Sequence, residues 1–397
     1  MLKILLRIFI IIIIYQNIVK AQIDQIKKIA ADNLDFAAKQ YEQMLINISD
    51  TQKFPRSINN NGTLNLVTSD DWTSGFFPGS LWYLYEFTRD DYWKEEAELY
   101  TRRLSKEQYN TQTHDVGFMI NCSYGNGYRL LGTKEYKEVI IQAAKSLSKR
   151  FRPVVGCIQS WGPNDKWQCP VIIDNMMNLE LLFNAAKISG DSSFYNIAVA
   201  HANTTIKNHF KPDYSSYHVV NYDTLTGKVL SKNTHQGYSD QSAWARGQAW
   251  GLYGYTMSYR ETRNKTYLIQ AQRIADFILH NKNLPDDMIP YWDFDAPNIP
   301  DEPRDASAAA IICSALYELS TYTSNDGKKY KEAADKILMS LSLSKYRAEK
   351  NKNLNFILKH CVGNKPADSE IDVPLIYADY YFIEANLRCL NYKESEL

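Results

Sequence analysis

Two aspartates stand in settings that could make a carboxyl group do proton chemistry. Asp174, in VIIDNMMNLELLFNAA, follows three consecutive β-branched apolar residues, Val171 to Ile173, and precedes a segment whose Met176, Met177, Leu179, Leu182 and Phe183 read as core. A helix N-cap accounts for an acidic residue in that position. A carboxyl group set against apolar neighbours also has its pKa raised, which is what a general acid working near neutral pH requires. Asp115, in THDVGFMINCSYGNGY, follows His114 and opens a second helix. A His-Asp pair of this kind serves either as a cap with a satisfied hydrogen bond or as part of an active site. The chain holds no GxSxG, HExxH, P-loop or dinucleotide fingerprint, so acid-base chemistry by carboxylates is what remains.

The stretch Gly237 to Trp250, GYSDQSAWARGQAW, supplies a different kind of group. Asp240 sits where an N-cap is expected, and Trp244, Arg246, Gln248 and Trp250 then project as ring faces, a guanidinium fork and an amide. That set suits a polar, planar, anionic ligand such as an acidic sugar, and equally a core helix whose arginine pairs with a buried carboxylate. Trp72 in DWTSGFFPG is a candidate pocket wall or a staple on a helix start. In YWDFDAPNIPDEPRDASAAAI, Asp305 reads as a helix cap, with Trp292 and Asp293 as rim candidates. Lys365 could face a negatively charged substituent or simply solvent.

These residues need a scaffold, and the apolar spacing is helical from Gln22 onward, as in Ile23, Ile26, Ile29, Ala30, Leu34 and Ala37. One kind of turn keeps returning: FTRDDYW at Tyr92, LGTKEYK at Tyr136, SGDSSFY at Phe194, ETRNKTY at Tyr267 and SNDGKKY at Tyr330. Each has a polar or glycine break followed by an aromatic that opens the next amphipathic helix, at intervals that fit a helix pair plus its connections. With the last helix, Asp372 to Leu390, paired to the one near the N-terminus, six helical hairpins result, and six hairpins close into an all-α (α/α)6 barrel. An open solenoid is the alternative, but long insertions rich in polar and aromatic residues fit loops gathered at one barrel mouth. Ser215 to Lys232 departs from the helical pattern and reads as a β-hairpin turning at Thr226-Gly227 near the site.

Lys+Arg and Asp+Glu both number 45 in the 397 residues, so nothing in the overall charge calls for nucleic acid or an anionic membrane surface. The 28 Tyr and 8 Trp provide aromatic planes of the kind that line carbohydrate clefts as well as ordinary core filling. Residues 1–21 carry Lys3 and Arg7 ahead of an apolar run and end in Val19-Lys20-Ala21, the pattern of a secretory signal peptide cleaved after Ala21. The unbroken apolar run Ile8 to Ile14 is too short to span a bilayer, so no membrane insertion is expected once the leader is removed. No linker interrupts residues 22–397, which read as one domain. The six cysteines show no CxxC spacing, which argues against a metal site, while a Cys157–Cys169 disulfide is compatible with an oxidising compartment.

In order and wording, DWTSGFFPGSLW, HDVGFM, IIDNMMNLELLF, DQSAWARGQAWGLYG, WDFDAP with RDASAAAI, and DVPLIYADYYFIEA resemble the unsaturated glucuronyl hydrolases, glycoside hydrolase family eighty-eight, from about Asp71 to Leu387. The resemblance implies an (α/α)6 barrel, no metal or organic cofactor, and removal of the 4,5-unsaturated uronic acid that polysaccharide lyases leave at the non-reducing end of oligosaccharides. It implies Asp174 as general acid and base, Asp115 as the second essential carboxylate, and Trp72, His114, His218, Gln236, Arg246 and Trp250 as substrate-binding residues, with His235 competing for the place of His218. Trp72 and Trp250 would stack on the planar sugar ring. Substrates so implied are unsaturated uronate-terminated oligosaccharides from ulvan or a glycosaminoglycan, with an upstream polysaccharide lyase as pathway partner, in a secreted or periplasmic setting. Two other readings fit: an unsaturated rhamnogalacturonyl hydrolase acting on pectin fragments, and a secreted glycan-binding protein without activity.

Overall fold

The computed structural model describes residues 2–324 and 326–393, with side chains from residue 24, so the leader side chains of residues 1–21 lie outside the described ones. Among the described residues thirteen α-helices carry the fold: α1 (Leu2–Asn47), α2 (Phe76–Thr88), α3 (Asp91–Arg102), α4 (Val116–Ile120), α5 (Asn126–Leu131), α6 (Lys134–Ser148), α7 (Asn175–Ser189), α8 (Ser192–His209), α9 (Ala245–Thr262), α10 (Lys265–Leu279), α11 (Ala306–Ser320), α12 (Gly327–Ser342) and α13 (Ile376–Asn391). Helices α4 and α5 form one rod joined by a π-helical turn, Asn121–Gly125. An inner ring, α2, α4–α5, α7, α9, α11 and α13, closes where α13 packs on α2; α3, α6, α8, α10, α12 and α1 surround it. This is the (α/α)6 barrel expected from the recurring turns, and α1 is the partner of α13.

Composition separates the two rings. The inner helices are buried nearly all round, α9 from Ala245 to Ser258 and α11 from Ala306 to Tyr317, whereas outer α6 and α12 bury one stripe. The hairpin turns are built from local chemistry: Arg89, Gly132, Gly190 and Arg263 take left-handed conformations that end the inner helices. Asp90, Asp191 and Asn264 then cap the outer helices by accepting hydrogen bonds from Tyr92 N, Ser193 N and Thr266 N. These short turns gather at one end of the barrel. The long connections, and the N-termini of all six inner rods, gather at the other.

Among the described residues four small antiparallel sheets occupy that second end. They comprise β1 (Phe54–Ile58) with β2 (Leu64–Val67), β3 (Phe151–Arg152) with β4 (Cys157–Ile158), a three-stranded sheet of β5 (Pro170–Ile172), β6 (Val219–Tyr222) and β7 (Val229–Asn233), and β8 (Cys361–Asn364) with β9 (Ser369–Val373). The β6–β7 hairpin is the one expected between Ser215 and Lys232, with Gly227 at φ +70° in its turn. The apolar run before Asp174 turns out to be its third strand. All six cysteines are buried free thiols, Cys157 and Cys169 sharing a small apolar cluster with Val171, Val220 and Tyr222 without a disulfide between them. Among the described residues no helix is long and apolar enough to cross a membrane.

Candidate active site

A cavity of about 350 Å³ opens at the mouth of the barrel, lined among others by Trp72, His114, Asp115, Asp174, His218, Gln236 and Arg246. Residues from across the sequence meet here because each precedes or begins an inner rod: Asp115 stands before α4, Asp174 before α7, Trp244 and Arg246 at the head of α9, and Tyr377 at that of α13. Six aligned helix N-termini also bring partial positive charge to this end, which favours an anionic ligand.

Asp174 occupies the N-cap position of α7, yet its side chain makes no capping bond, and its Oδ2 is buried without a partner. Strand β5, paired to β6 with Ile173 N donating to His218 O, holds the carboxyl below the barrel rim and out of reach of the α7 amides. Burial pushes its pKa up from 3.8 to about 7; Arg246 opposes the rise, Asp115 adds to it by like charge, and a hydrogen bond from the Trp250 indole pulls it back down. A carboxyl group near pH 7 is half protonated at neutrality, the state a proton donor needs.

The histidines beside it are held in defined tautomers. His218 Nδ1 accepts from the backbone N–H groups of His235 and Gln236, each at 3.1 Å, so its proton is on Nε2, which lies 3.7 Å from Asp174 Oδ2. Burial, with His235 and Arg246 nearby, holds the His218 pKa well below its ordinary value and keeps the ring neutral. His114 Nδ1 donates to Ser160 O at 2.9 Å and its Nε2 faces Asp115 Oδ1 at 3.2 Å, with burial again lowering its pKa. Asp115 is also touched by Thr113 Oγ1 at 3.2 Å and by Asn178 Nδ2 at 3.4 Å, so α7 steadies the carboxylate that α4 begins with. Gly117 permits that approach: a Cβ there would lie 2.5 Å from the Asn178 Cα.

Several expectations change on meeting the tertiary structure. Trp250 does not face the cavity; it is fully buried beneath it, its ring 5.3 Å from Phe118 and 5.5 Å from Tyr381. Its place is under the Asp174 carboxyl, and no face of its ring opens to the cavity. Helix α9 begins at Ala245, and Asp240 instead accepts from Thr234 N and Asn233 Nδ2 in the loop before it, because Gly237 to Ser242 turn too tightly to continue the helix. Trp244 packs against His218, ring centroids 4.5 Å apart and tilted by 34°. Arg246 lines the cavity, but its Nη1 pairs with Asp305 Oδ2 at 3.2 Å and its guanidinium also donates to the carbonyls of Val362 and Gly363. Asp305 meanwhile caps α11 through Ser307 N. Trp292 and Asp293, expected at the rim, are buried and tie loops together, Trp292 Nε1 to Glu302 and Asp293 to Ser242 Oγ and Tyr238 N. Lys365 leans on Glu302 and Trp292, away from the cavity.

Other lining residues were not foreseen: Arg56, Phe118, Trp161, Glu370 and Tyr377. Arg56 binds Glu370 through two bonds of 2.8 Å and Asp71 at 2.7 Å, bridging β1 to β9. Burial opposes ionisation of Glu370, but the Arg56 pair outweighs it and holds the carboxyl below its ordinary range. The tryptophan pair in SWGPNDKW was the only sequence sign of the Trp161–Trp167 shelf, centroids 5.4 Å apart.

Comparison with known proteins fits this geometry. The profile of Glycosyl Hydrolase Family 88 matches residues 47–393. The chain belongs to that family. It is 52% identical over 341 residues, 85% of each chain, to an unsaturated glucuronyl hydrolase of Formosa agariphila, and 33% identical over 368 residues to an unsaturated chondroitin disaccharide hydrolase of Streptococcus agalactiae, 90% of this chain and 91% of that one. A crystal structure of an unsaturated glucuronyl hydrolase specific for heparin superposes with a TM-score of 0.89 at 50% identity, covering 91% of this chain and 96% of that chain. The chain is thus a glycoside hydrolase.

Proposed function

We propose that the cavity removes a 4,5-unsaturated glucuronic acid from the non-reducing end of glycosaminoglycan-type fragments, Asp174 serving as proton donor and then as base. The observation that carries this reading is the uncapped, buried carboxyl of Asp174 with its pKa at about 7. The unsaturated uronate is an enol ether, so a proton delivered to C4 leaves positive charge shared by C5 and the ring oxygen. Water, giving its proton to the now ionised Asp174, adds at C5. The hemiketal opens to a ketone at C5, and the anomeric centre, now an open hemiacetal, expels the remaining oligosaccharide as an alcohol. Nothing in this sequence requires a covalent enzyme intermediate.

The neighbouring groups have matching roles. His218 Nε2–H and Asp174 Oδ2 together hold the attacking water. His114 Nε2, an acceptor in the neutral ring, and Asp115 take sugar hydroxyls, while Trp72, Gln236 and Arg246 frame the ring and its carboxylate. The names of the relatives, which mention chondroitin disaccharide and heparin, favour glycosaminoglycan fragments over pectin, and a polysaccharide lyase must act first to create the double bond. Residues 1–21 act as a leader removed after Ala21, leaving 22–397 as a single domain working in the periplasm or outside the cell; a mature N-terminus at Gln22, read by sequencing, checks this.

Loss of the ultraviolet absorbance of the unsaturated uronate, followed across lyase products of chondroitin, hyaluronan, heparin, ulvan and pectin, tests the reading. Turnover is expected on glucuronate-containing disaccharides. Preference for pectin fragments favours the rhamnogalacturonyl alternative, and binding of unsaturated disaccharides without absorbance loss refutes the hydrolase.

A further inference from the structure

Arg150 is a buried cation that no carboxylate among the described residues pairs with. It follows α6 where the chain turns into β3, is 8% exposed, and directs its guanidinium at three backbone carbonyls: Nε donates to Gln159 O at 2.8 Å, Nη1 to Thr111 O at 2.7 Å and Nη2 to Ser160 O at 3.0 Å. Burial and the neighbouring cation Arg152 both weigh against its charge, and Asp115 offsets them only in part. A buried charge without a partner is destabilising, so a neutral donor would serve better if the side chain merely joined two loops. The carbonyls it holds lead to the active site. Thr111 lies in the loop that delivers His114 and Asp115, and Ser160 O is the same oxygen to which His114 Nδ1 donates at 2.9 Å. Ser160 is fixed from its other side as well: its N donates to Pro170 O at 2.9 Å, and its Oγ accepts from Ile172 N at 2.9 Å and donates to Asn175 Oδ1 at 3.0 Å. Ile172 and Asn175 bracket Asp174, so one residue joins the support of Asp174 to the ring beside Asp115, and Arg150 is seated on it.

We propose that Arg150 is a positioning residue of the hydrolase, a role that rests on the reading above: by holding the Ser160 carbonyl it sets the orientation and tautomer of His114, and its permanent charge keeps that ring neutral with Nε2 an acceptor. A carbonyl can only accept, so the ring proton must sit on Nδ1. Because Nδ1 and Nη2 share one oxygen, at 2.9 and 3.0 Å, a second proton on the ring would set imidazolium beside guanidinium in a buried setting. Burial is the main cause of the low His114 pKa; Asp115 and the Ser160 carbonyl oppose it, and Arg150 adds to burial. The other groups acting on the ring are His201 on α8 and His218 ahead of β6, both held below the ordinary histidine range by burial, with Asp174 on the same cavity wall. Among these Arg150 is the cation that keeps its charge at every working pH. Its planar fork matches three converging carbonyls, which a lysine ammonium cannot.

Two variants separate the charge from the fork: Arg150→Lys keeps a cation without the planar donors, and Arg150→Gln keeps an amide donor without the charge. Their pH profiles of kcat/KM on an unsaturated glucuronyl disaccharide are read beside nitrogen-15 NMR of histidine-labelled protein, the His114 signals being identified by their loss in His114→Asn. In the parent, His114 is expected to carry its proton on Nδ1 and to titrate below the ordinary histidine range. In Arg150→Gln the acid limb of kcat/KM and the His114 titration should both move up by about one pH unit, since loss of a nearby cation favours the protonated ring. In Arg150→Lys neither should move, while kcat falls about 10-fold in both variants as the ring loses its fixed carbonyl. A side chain that only staples loops would lower kcat in both variants and leave both titrations at their parental positions, and that result overturns the electrostatic role; an equal move in Arg150→Lys does the same. Parental kcat in both variants overturns the positioning role. Should either variant not fold, the parent decides alone, because a proton on His114 Nε2 there overturns the proposal. Absence of turnover by the parent refutes the hydrolase reading itself, a result distinct from these.

Discussion

Asp174→Asn should make the protein a worse catalyst and a more stable fold, and the second effect has a definite pH signature. An acid whose folded-state pKa is raised contributes stability below its unfolded value and loses it as pH climbs through the folded one. For Asp174 the interval runs from 3.8 to about 7, and the gap amounts to about 4 kcal/mol of cost once the group is forced to ionise in its apolar seat. About 2 kcal/mol of that is incurred by pH 5 and nearly all of it by pH 8, so the variant should gain about 2–3 kcal/mol on the parent between those two pH values. Asparagine keeps the size of the side chain but carries no charge to desolvate. Urea unfolding followed by tryptophan fluorescence at pH 5, 6, 7 and 8 reads the difference directly, and taking parent against variant cancels the other titrating groups. Turnover on an unsaturated disaccharide should fall at least ~100-fold while binding persists, because an amide can neither deliver the proton nor activate water. Parallel stability curves for the two proteins, or turnover within a few-fold of the parent, would refute the reasoning and move the search for the acid to Asp115.

Three further perturbations probe the surroundings of that carboxyl. The kcat/KM profile of the parent should decline on the alkaline side with an apparent pKa near 7, and Trp250→Phe, which removes a hydrogen bond favouring the charged form, should move that limb to higher pH; an unmoved limb would detach Trp250 from the acid. Arg246→Met strands Asp305 and two carbonyl groups without their buried cation and should cost about 3–5 kcal/mol in denaturant unfolding at pH 7, with a loss below about 1 kcal/mol showing that the pair is dispensable. Gly117→Ala drives a methyl group against the Asn178 backbone, so α4 and α7 must separate; reduced kcat with a lowered unfolding midpoint is expected, and parental values for both would contradict the packing.

Much of the barrel was legible because its evidence is local. A left-handed residue, an acidic or amide cap and an aromatic that opens the next helix are each determined within about one turn of chain, and Arg89-Asp90, Gly190-Asp191 and Arg263-Asn264 repeat that device. The apolar run before Asp174 was equally plain, and with it the argument that burial raises the carboxyl's pKa. The β6–β7 hairpin announced itself through Thr226-Gly227. By contrast, β1–β2 and β8–β9 passed unnoticed: their strands are short, β1 and β8 mostly buried and β2 and β9 only partly so, and none shows the alternation that marks a longer strand.

What the chain determined alone was therefore its helical periodicity, its turn chemistry and the residue types able to move a proton or stack on a ring. Which of those residues face one another was decided only when the ring of inner helices closed. Trp250 and Trp72 are both tryptophans in motifs that resemble those of the family, but one turn into α9 places the first beneath the cavity, while the loop ahead of α2 leaves the second on its wall. Arg56 and Glu370 are separated by most of the chain and complete the site only because α13 packs against α2 and brings β9 beside β1. Burial, which raises the Asp174 pKa to about 7, depends on everything packed around a carboxyl group, and no window of sequence contains that.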